Sequence, residues 1–157
     1  MTDRRLRLAV AALALAGLGI AGYLTWARYA HESVACPIGG GGCETVQESS
    51  YSELAGVPVA LLGLLQYVAV LALVAWDSPA ARQVVAVFAL AGAAFAVYLV
   101  VIQVAVIEAV CSWCIANDVV VGLLAVTAVE RLRSWGPDAA PAARSGRGSL
   151  RGSRRSP

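Results

Sequence analysis

The four cysteines of this chain fall into two pairs whose spacings suit sulfur chemistry. Cys36 and Cys43 bracket the stretch "ACPIGGGGCE", where a proline, an isoleucine and four consecutive glycines separate the sulfurs; Cys111 and Cys114 form the Cys-x-x-Cys of "CSWC". A disulfide that only stiffened a loop would not need its span filled with the most flexible residue. Closing so short a loop constrains the unfolded chain by only roughly 2–3 kcal/mol in the chain-entropy account. Fully extended, the steps from Cys36 to Cys43 reach at most ~25 Å, enough to ferry a thiol between two partners. Three chemistries fit four such residues: structural disulfides, a tetrathiolate zinc site and thiol–disulfide exchange. Which of them applies depends on the elements that carry the cysteines.

Those elements are apolar. Of 157 residues, 59% are hydrophobic and only 14% charged, a composition that excludes an ordinary soluble domain of this size. Leu8 to Trp26, Val57 to Trp76 and Val84 to Ile107 contain no charged residue, and Cys111 to Val129 contains only Asp118. Each run matches the helix length needed to cross about 30 Å of hydrocarbon. Buried helices of a soluble bundle would carry polar outer faces that these runs lack. The expected fold is an all-α integral membrane protein, a four-transmembrane-helix bundle. Its helices are expected at about 6–29, 56–76, 83–107 and 111–132, with a short outer loop or interfacial helix between the first two. Residues 1–135 form the membrane domain. Residues 136–157, rich in Gly, Pro, Ser and Arg, read as a disordered basic tail that anchors topology; membrane lipid, which its arginines could touch, is an expected partner and nucleic acid is not.

The basic start and apolar middle of "MTDRRLRLAVAALALAGLGIAG" resemble a signal peptide. The apolar part is longer than such a segment needs, and it ends in Tyr23 and Trp26, which suit a membrane interface, so a retained helix is expected. Orientation follows from arginine, since lysine is absent. Arg4, Arg5 and Arg7 precede the first span, Arg82 lies between the second and third, and Arg131 and Arg133 follow the fourth; Arg28 alone lies on the other side. The positive-inside rule then places both termini in the cytoplasm of a cell (inner) membrane. Cys36 and Cys43 follow the first span, and Cys111 and Cys114 follow the third, so both pairs share the outer face. Disulfides form and persist in that compartment.

"CSWC" opens the fourth span directly. Unpaired N–H groups and the positive end of the helix dipole favour a thiolate there, which makes the cysteines reactive. Residues three apart share a helix face, so the two sulfurs can close on each other. A doubly negative zinc site beside hydrocarbon is costly, and a pure staple uses neither the helix tip nor the flexible loop. Exchange uses both. The alternative of a different class is a non-catalytic four-helix membrane protein whose outer loops are stapled by structural disulfides.

Four helices, a loop cysteine pair after the first and Cys-x-x-Cys at the start of the last resemble a bacterial vitamin K epoxide reductase homologue, in a stand-alone form without a fused thioredoxin-like domain. The resemblance covers roughly Leu6 to Arg131. The order of motifs separates it from the disulfide-bond protein B family, whose Cys-x-x-Cys lies in the first outer loop. The resemblance implies an oxidoreductase that takes electrons from an exported thioredoxin-like (DsbA-like) partner. They pass through Cys36 and Cys43 to Cys111 and Cys114, and then to a membrane quinone, menaquinone or ubiquinone. By position, Cys114 faces the quinone, Cys111 is attacked by the loop, Cys43 bonds transiently with Cys111, and Cys36 is the shuttling companion. The family's serine or threonine six residues beyond the second loop cysteine is here Ser49, which could also cap a short interfacial helix with Ser50 and Ser52.

The animal enzymes contact quinone through an asparagine near the start of the second helix and a tyrosine four residues after the Cys-x-x-Cys. Here "GVPVALLGLLQY" has no asparagine, and Asp118 stands at the second position, so epoxide reduction is not carried over. An acid inside the membrane is a functional candidate. Asp118 lies one helical turn below Cys114, where it could donate a hydrogen bond or proton to the quinone or simply snorkel or bond locally near the interface beside Asn117. Tyr67 and Trp113 are further candidates for the quinone pocket, and Gln66 and Gln103 weaker ones, since each could merely bond a neighbouring helix. His31 reads as a surface residue.

Overall fold

The computed structural model describes residues 3–38 and 42–134. The basic tail expected at 136–157 and the glycines at 39–41 lie outside the described residues. Five α-helices account for most of the rest: α1 (Asp3–Ala30), α2 (Gly42–Glu48), α3 (Val59–Trp76), α4 (Pro79–Ile102) and α5 (Ser112–Arg133). All but α2 are long and apolar enough to cross a membrane. α1 packs on α3 and α5, and α4 closes the bundle against the same two helices. The all-α, four-span membrane bundle expected from the apolar runs is the observed architecture.

The bundle core is built largely from small and β-branched side chains. Val10, Ala14 and Ala21 of α1 meet Tyr67, Val70 and Val74 of α3, Val85, Ala86 and Ala89 of α4, and Leu124, Ala125 and Ala128 of α5. Such residues let helix backbones approach closely, which suits association where lipid removes the hydrophobic drive between helices. Apolar side chains also cover the outside: Val87, Val97 and Val126 are each more than 60% exposed (62%, 65% and 63%).

Several helix limits differ from the sequence reading for local reasons. α3 begins at Val59 rather than near 56, because Val57–Pro58 pairs antiparallel with Glu53–Leu54 as a minimal hairpin. Proline holds its preceding residue extended, and Ala55 and Gly56 turn the chain with positive φ (52° and 79°). α4 begins at Pro79 rather than 83. The Ser78 hydroxyl accepts the Ala81 N–H at 3.1 Å, and proline suits the first helical position. The third span does reach Ile107, but its last five residues, Gln103–Ile107, form a π turn. That turn ends where Glu108 adopts a left-handed conformation (φ 54°).

At the end of the bundle opposite the cysteines, five charged side chains tie the four spanning helices together. Arg131 Nη2 lies 2.6 Å from Asp77 Oδ1, and its Nε lies 3.2 Å from Asp3 Oδ1. Arg82 reaches the same two carboxylates at 3.0 and 3.3 Å, and Arg7 reaches Asp77 at 3.2 Å. Arg82 and Arg131 are buried.

Candidate active site

The cysteine end is organised around the entry to α5. Cys111 is the residue before the helix, with extended backbone (φ −93°, ψ 108°), and its Sγ accepts the N–H of Cys114 at 3.2 Å. The first turn of any helix leaves N–H groups unpaired, and this sulfur takes one of them. The backbone N–H of Cys111 is itself held at 2.9 Å by Oε1 of Gln103, the first residue of the π turn. The carbonyl oxygen of Gln103 also accepts the N–H of Ala109 at 3.1 Å. A single buried glutamine therefore fixes the chain on both sides of the turn that delivers Cys111.

Cys43 sits in the first turn of α2 and Cys36 in the loop before it. They form a disulfide with Cα atoms 5.6 Å apart, and Cys111 and Cys114 form a second with Cα atoms 5.2 Å apart. Gly42 abuts the backbone of Val110 so closely that an added Cβ would collide with the Val110 carbonyl oxygen. The two disulfides meet through Ser112, whose hydroxyl lies 3.6 Å from Sγ of both Cys36 and Cys43.

Exposure differs across the four sulfurs in a consistent order. Cys43 and Cys111 are fully buried and belong to one small apolar cluster with Val46. Cys36 and Cys114 flank that cluster and are only partly buried. Cys114 lines a cavity between α1, α2, α3, the end of α4 and α5, together with Ser49, Gln103, Asn117 and Asp118. The side-chain nitrogen of Gln47 points at its sulfur from 4.0 Å. A second cavity, deeper along α3 and α4, shares Asn117 and Asp118 and adds Gln66, Tyr67 and Phe95. Apolar lining with a few convergent polar groups is the usual make-up of a small-molecule site.

The remaining candidate residues divide between these places. Asp118 borders both cavities, and its Oδ2 is buried without a hydrogen-bond partner. Tyr67 is 2% exposed and lines the deeper cavity only, its hydroxyl donating to Asn117 Oδ1 at 3.0 Å. Ser49 lines the first cavity, and its hydroxyl is turned back on the Val46 carbonyl at 2.7 Å; it makes no side-chain cap for the turn Ser50–Ser52 that follows. Trp113 belongs to neither of these cavities. Its ring packs on Tyr23 of α1 at 5.3 Å and its indole N–H donates to the Ala35 carbonyl at 2.9 Å, so it clamps the loop that carries Cys36. Gln66 gives its amide N–H to the Phe88 carbonyl at 3.0 Å. His31 is exposed.

The contacts of Asn117 and the structural part of Gln103 are not legible in the sequence. Asn117 was legible as the residue beside Asp118. Its bond to Tyr67 was not, because the partner lies on another helix.

Two cysteine pairs stacked at one end of a membrane bundle, the second on a helix tip beside a cavity, define a thiol–disulfide oxidoreductase of the membrane. The comparison with protein families agrees with that class. The model of the vitamin K epoxide reductase family matches residues 8–129, and the chain belongs to this family.

Proposed function

We propose that the protein oxidises an exported thioredoxin-like partner and passes the electrons to a membrane quinone. The observation that carries this reading is the order of the sulfurs. Cys36 is partly exposed at the edge of the cluster, Cys43 and Cys111 are buried within it, and Cys114 lines the cavity. A relay needs that sequence of environments: one contact for a large partner, an internal transfer point and one contact for a small acceptor.

The steps balance as two-electron transfers. A partner dithiol reduces the Cys36–Cys43 disulfide and leaves as a disulfide. Cys43 thiolate attacks Cys111 Sγ, which breaks the Cys111–Cys114 bond; Cys36 then attacks Cys43, which restores the loop disulfide and frees Cys111. The resulting Cys111–Cys114 dithiol closes again as two electrons and two protons pass to the quinone, giving quinol. Cys111 and Cys114 stand where N–H groups at the start of α5 stabilise thiolate. Asp118, buried at the cavity wall one turn below Cys114, is in place to hand a proton or hydrogen bond to a quinone oxygen. Trp113 and Ser49 support the site by fixing the loop and the end of α2, and Tyr67 supports it by holding Asn117. The arginine distribution puts both termini in the cytoplasm and the cysteines outside the cell membrane, where the partner and the quinone can both reach them.

The test is made on purified protein. Reduced with excess thiol and then supplied with quinone, wild type consumes quinone and recovers two disulfides. Cys114→Ala protein is expected to consume none. Quinone loss at the wild-type rate in that variant would remove the mechanism, leaving disulfides that only brace the loops.

A further inference from the structure

We infer that Gln103 is a quinone-binding residue, donating its amide N–H to a quinone carbonyl oxygen while its amide oxygen holds Cys111 in place. The inference rests on the quinone reading above and assigns to that site a residue with two simultaneous duties. Gln103 is 3% exposed. Its Oε1 accepts the Cys111 backbone N–H at 2.9 Å. A backbone N–H can only donate, so the orientation of this amide is settled: the oxygen faces Cys111 and the NH2 group faces elsewhere. That NH2 has no hydrogen-bond partner among the described residues, and the residue lines the cavity that Cys114 and Asp118 also line.

Among the polar groups of the cavity, which include the unpartnered Asp118 Oδ2 and Ser52 Oγ, two amides share one feature. Asn117 resembles Gln103 in having its side-chain oxygen engaged, here by the Tyr67 hydroxyl. Both amides thus have their acceptors occupied and their donors left over, beside an apolar wall. A ligand with carbonyl acceptors and no donors of its own answers this arrangement, and a quinone is such a molecule. Its quinol product offers phenolic oxygens, which accept more weakly, so the same donor favours oxidised substrate over product.

The double use of one amide also links the two halves of the reaction. A carbonyl bound to the NH2 polarises the amide and strengthens its oxygen as an acceptor. The Cys111 N–H is then gripped most firmly when quinone is present, which keeps Cys111 in register as its bond with Cys114 forms.

The experiment uses the full-length protein in detergent, with dithiothreitol as reductant and 2,3-dimethyl-1,4-naphthoquinone as probe. It measures KM and kcat for the probe and, separately, the quinone-independent reduction potential of the Cys111–Cys114 pair. Gln103→Met removes both contacts. Gln103→Glu keeps an acceptor facing Cys111 but loses the NH2, and guards against a helix tip that misfolds without its anchor. Both variants are expected to raise KM about three- to tenfold, the range for one lost hydrogen bond, with a smaller change in kcat. Gln103→Glu is expected to leave the potential at the wild-type value. A wild-type KM in both variants, or a shifted potential with unchanged KM, overturns the assignment while leaving the quinone reading intact. A wild-type protein that exchanges disulfides but never consumes the probe overturns that reading, and this inference with it.

Discussion

Ser112 Oγ lies 3.6 Å from Sγ of Cys43 and can donate to it, although the two residues come from different ends of the chain. The same hydroxyl donates to Cys36 Sγ at 3.6 Å. The first inner residue of "CSWC" is therefore the seat of the other disulfide. A thiolate formed in the reduced loop is a far stronger acceptor than a disulfide sulfur, and hydrogen bonds to charged groups contribute about 1.5–3 kcal/mol. Ser112→Ala is expected to slow electron transfer from the loop to Cys111 by about tenfold, the lower end of that range. Its pH–rate profile should move to higher pH as the loop thiols become harder to ionise. Rapid-quench alkylation of the four cysteines reads both quantities, and Ser112→Thr should restore them. An unchanged rate in the alanine variant would show that the hydroxyl is a bystander.

Gly42 is the one glycine of the run that the structure describes. Gly42 is a contact residue: a Cβ there meets the Val110 carbonyl next to Cys111. Gly42→Ala should destabilise the docked loop by about 1–3 kcal/mol, the usual cost of overpacking, seen as faster alkylation of Cys43 under mild reduction. Replacing residues 39–41 by alanine should leave that docking unaffected and slow only transfer to Cys111, by stiffening the tether. Equal transfer rates in wild type and the triple variant would rule out a role for loop flexibility.

This division marks where the sequence stops being readable. Apolar runs of spanning length disclosed the four helices, because hydrocarbon thickness fixes what such a run must do. Parity of crossings put both cysteine pairs at one end, whatever the error in each helix limit. The limits themselves depended on single residues such as Pro58 and Ser78, whose local bonds shift a helix start by a few positions. The contacts within the site were not legible. Gln103 reads from sequence as a weaker pocket candidate or a helix-bonding residue, and only the π turn reveals that its oxygen holds the Cys111 N–H. Trp113 looked like part of a quinone pocket, but the turn of α5 directs its ring toward Tyr23 and Ala35. Pairings of this kind depend on which helices are neighbours, and a uniformly apolar pattern leaves that open.

The charged clasp at the other end was half legible, as arginines that set topology. Burial alone raises the pKa of Asp77, but the hydrogen bond and charge of Arg131, with those of Arg82, outweigh it and hold the carboxyl below its usual 3.8. A carboxyl lowered on folding stabilises the fold above its unfolded pKa and loses that contribution as pH falls through the folded value. The contribution of Asp77 to thermal stability in detergent should therefore be lost as the pH falls below 3.8, and this loss should be absent in Asp77→Asn. Asp77→Ala removes the carboxylate that the buried Arg82 and Arg131 share, and breaking such a buried pair costs about 3–5 kcal/mol. A wild-type melting temperature for Asp77→Ala would mean that the clasp holds nothing together.

On the proposed relay, burial favours Cys43 as the loop sulfur that meets the helix pair. Cys43 and Cys111 share the cluster around Val46 and are both fully buried, whereas Cys36 lies at its edge. A protein carrying Cys36→Ala and Cys114→Ala retains one thiol of each pair. Treated with diamide, which accepts the two electrons released when a disulfide forms, it should accumulate an intramolecular Cys43–Cys111 bond. Proteolysis and mass measurement would find α2 and α5 peptides linked. The complementary protein, with Cys43→Ala and Cys114→Ala, retains Cys36 and Cys111. It should crosslink at least tenfold more slowly, since about 1.4 kcal/mol of added rearrangement suffices for that ratio. Equal crosslinking in the two proteins would mean that the reduced loop samples both sulfurs at Cys111, and that the buried pair in the oxidised fold does not fix the path of the electrons.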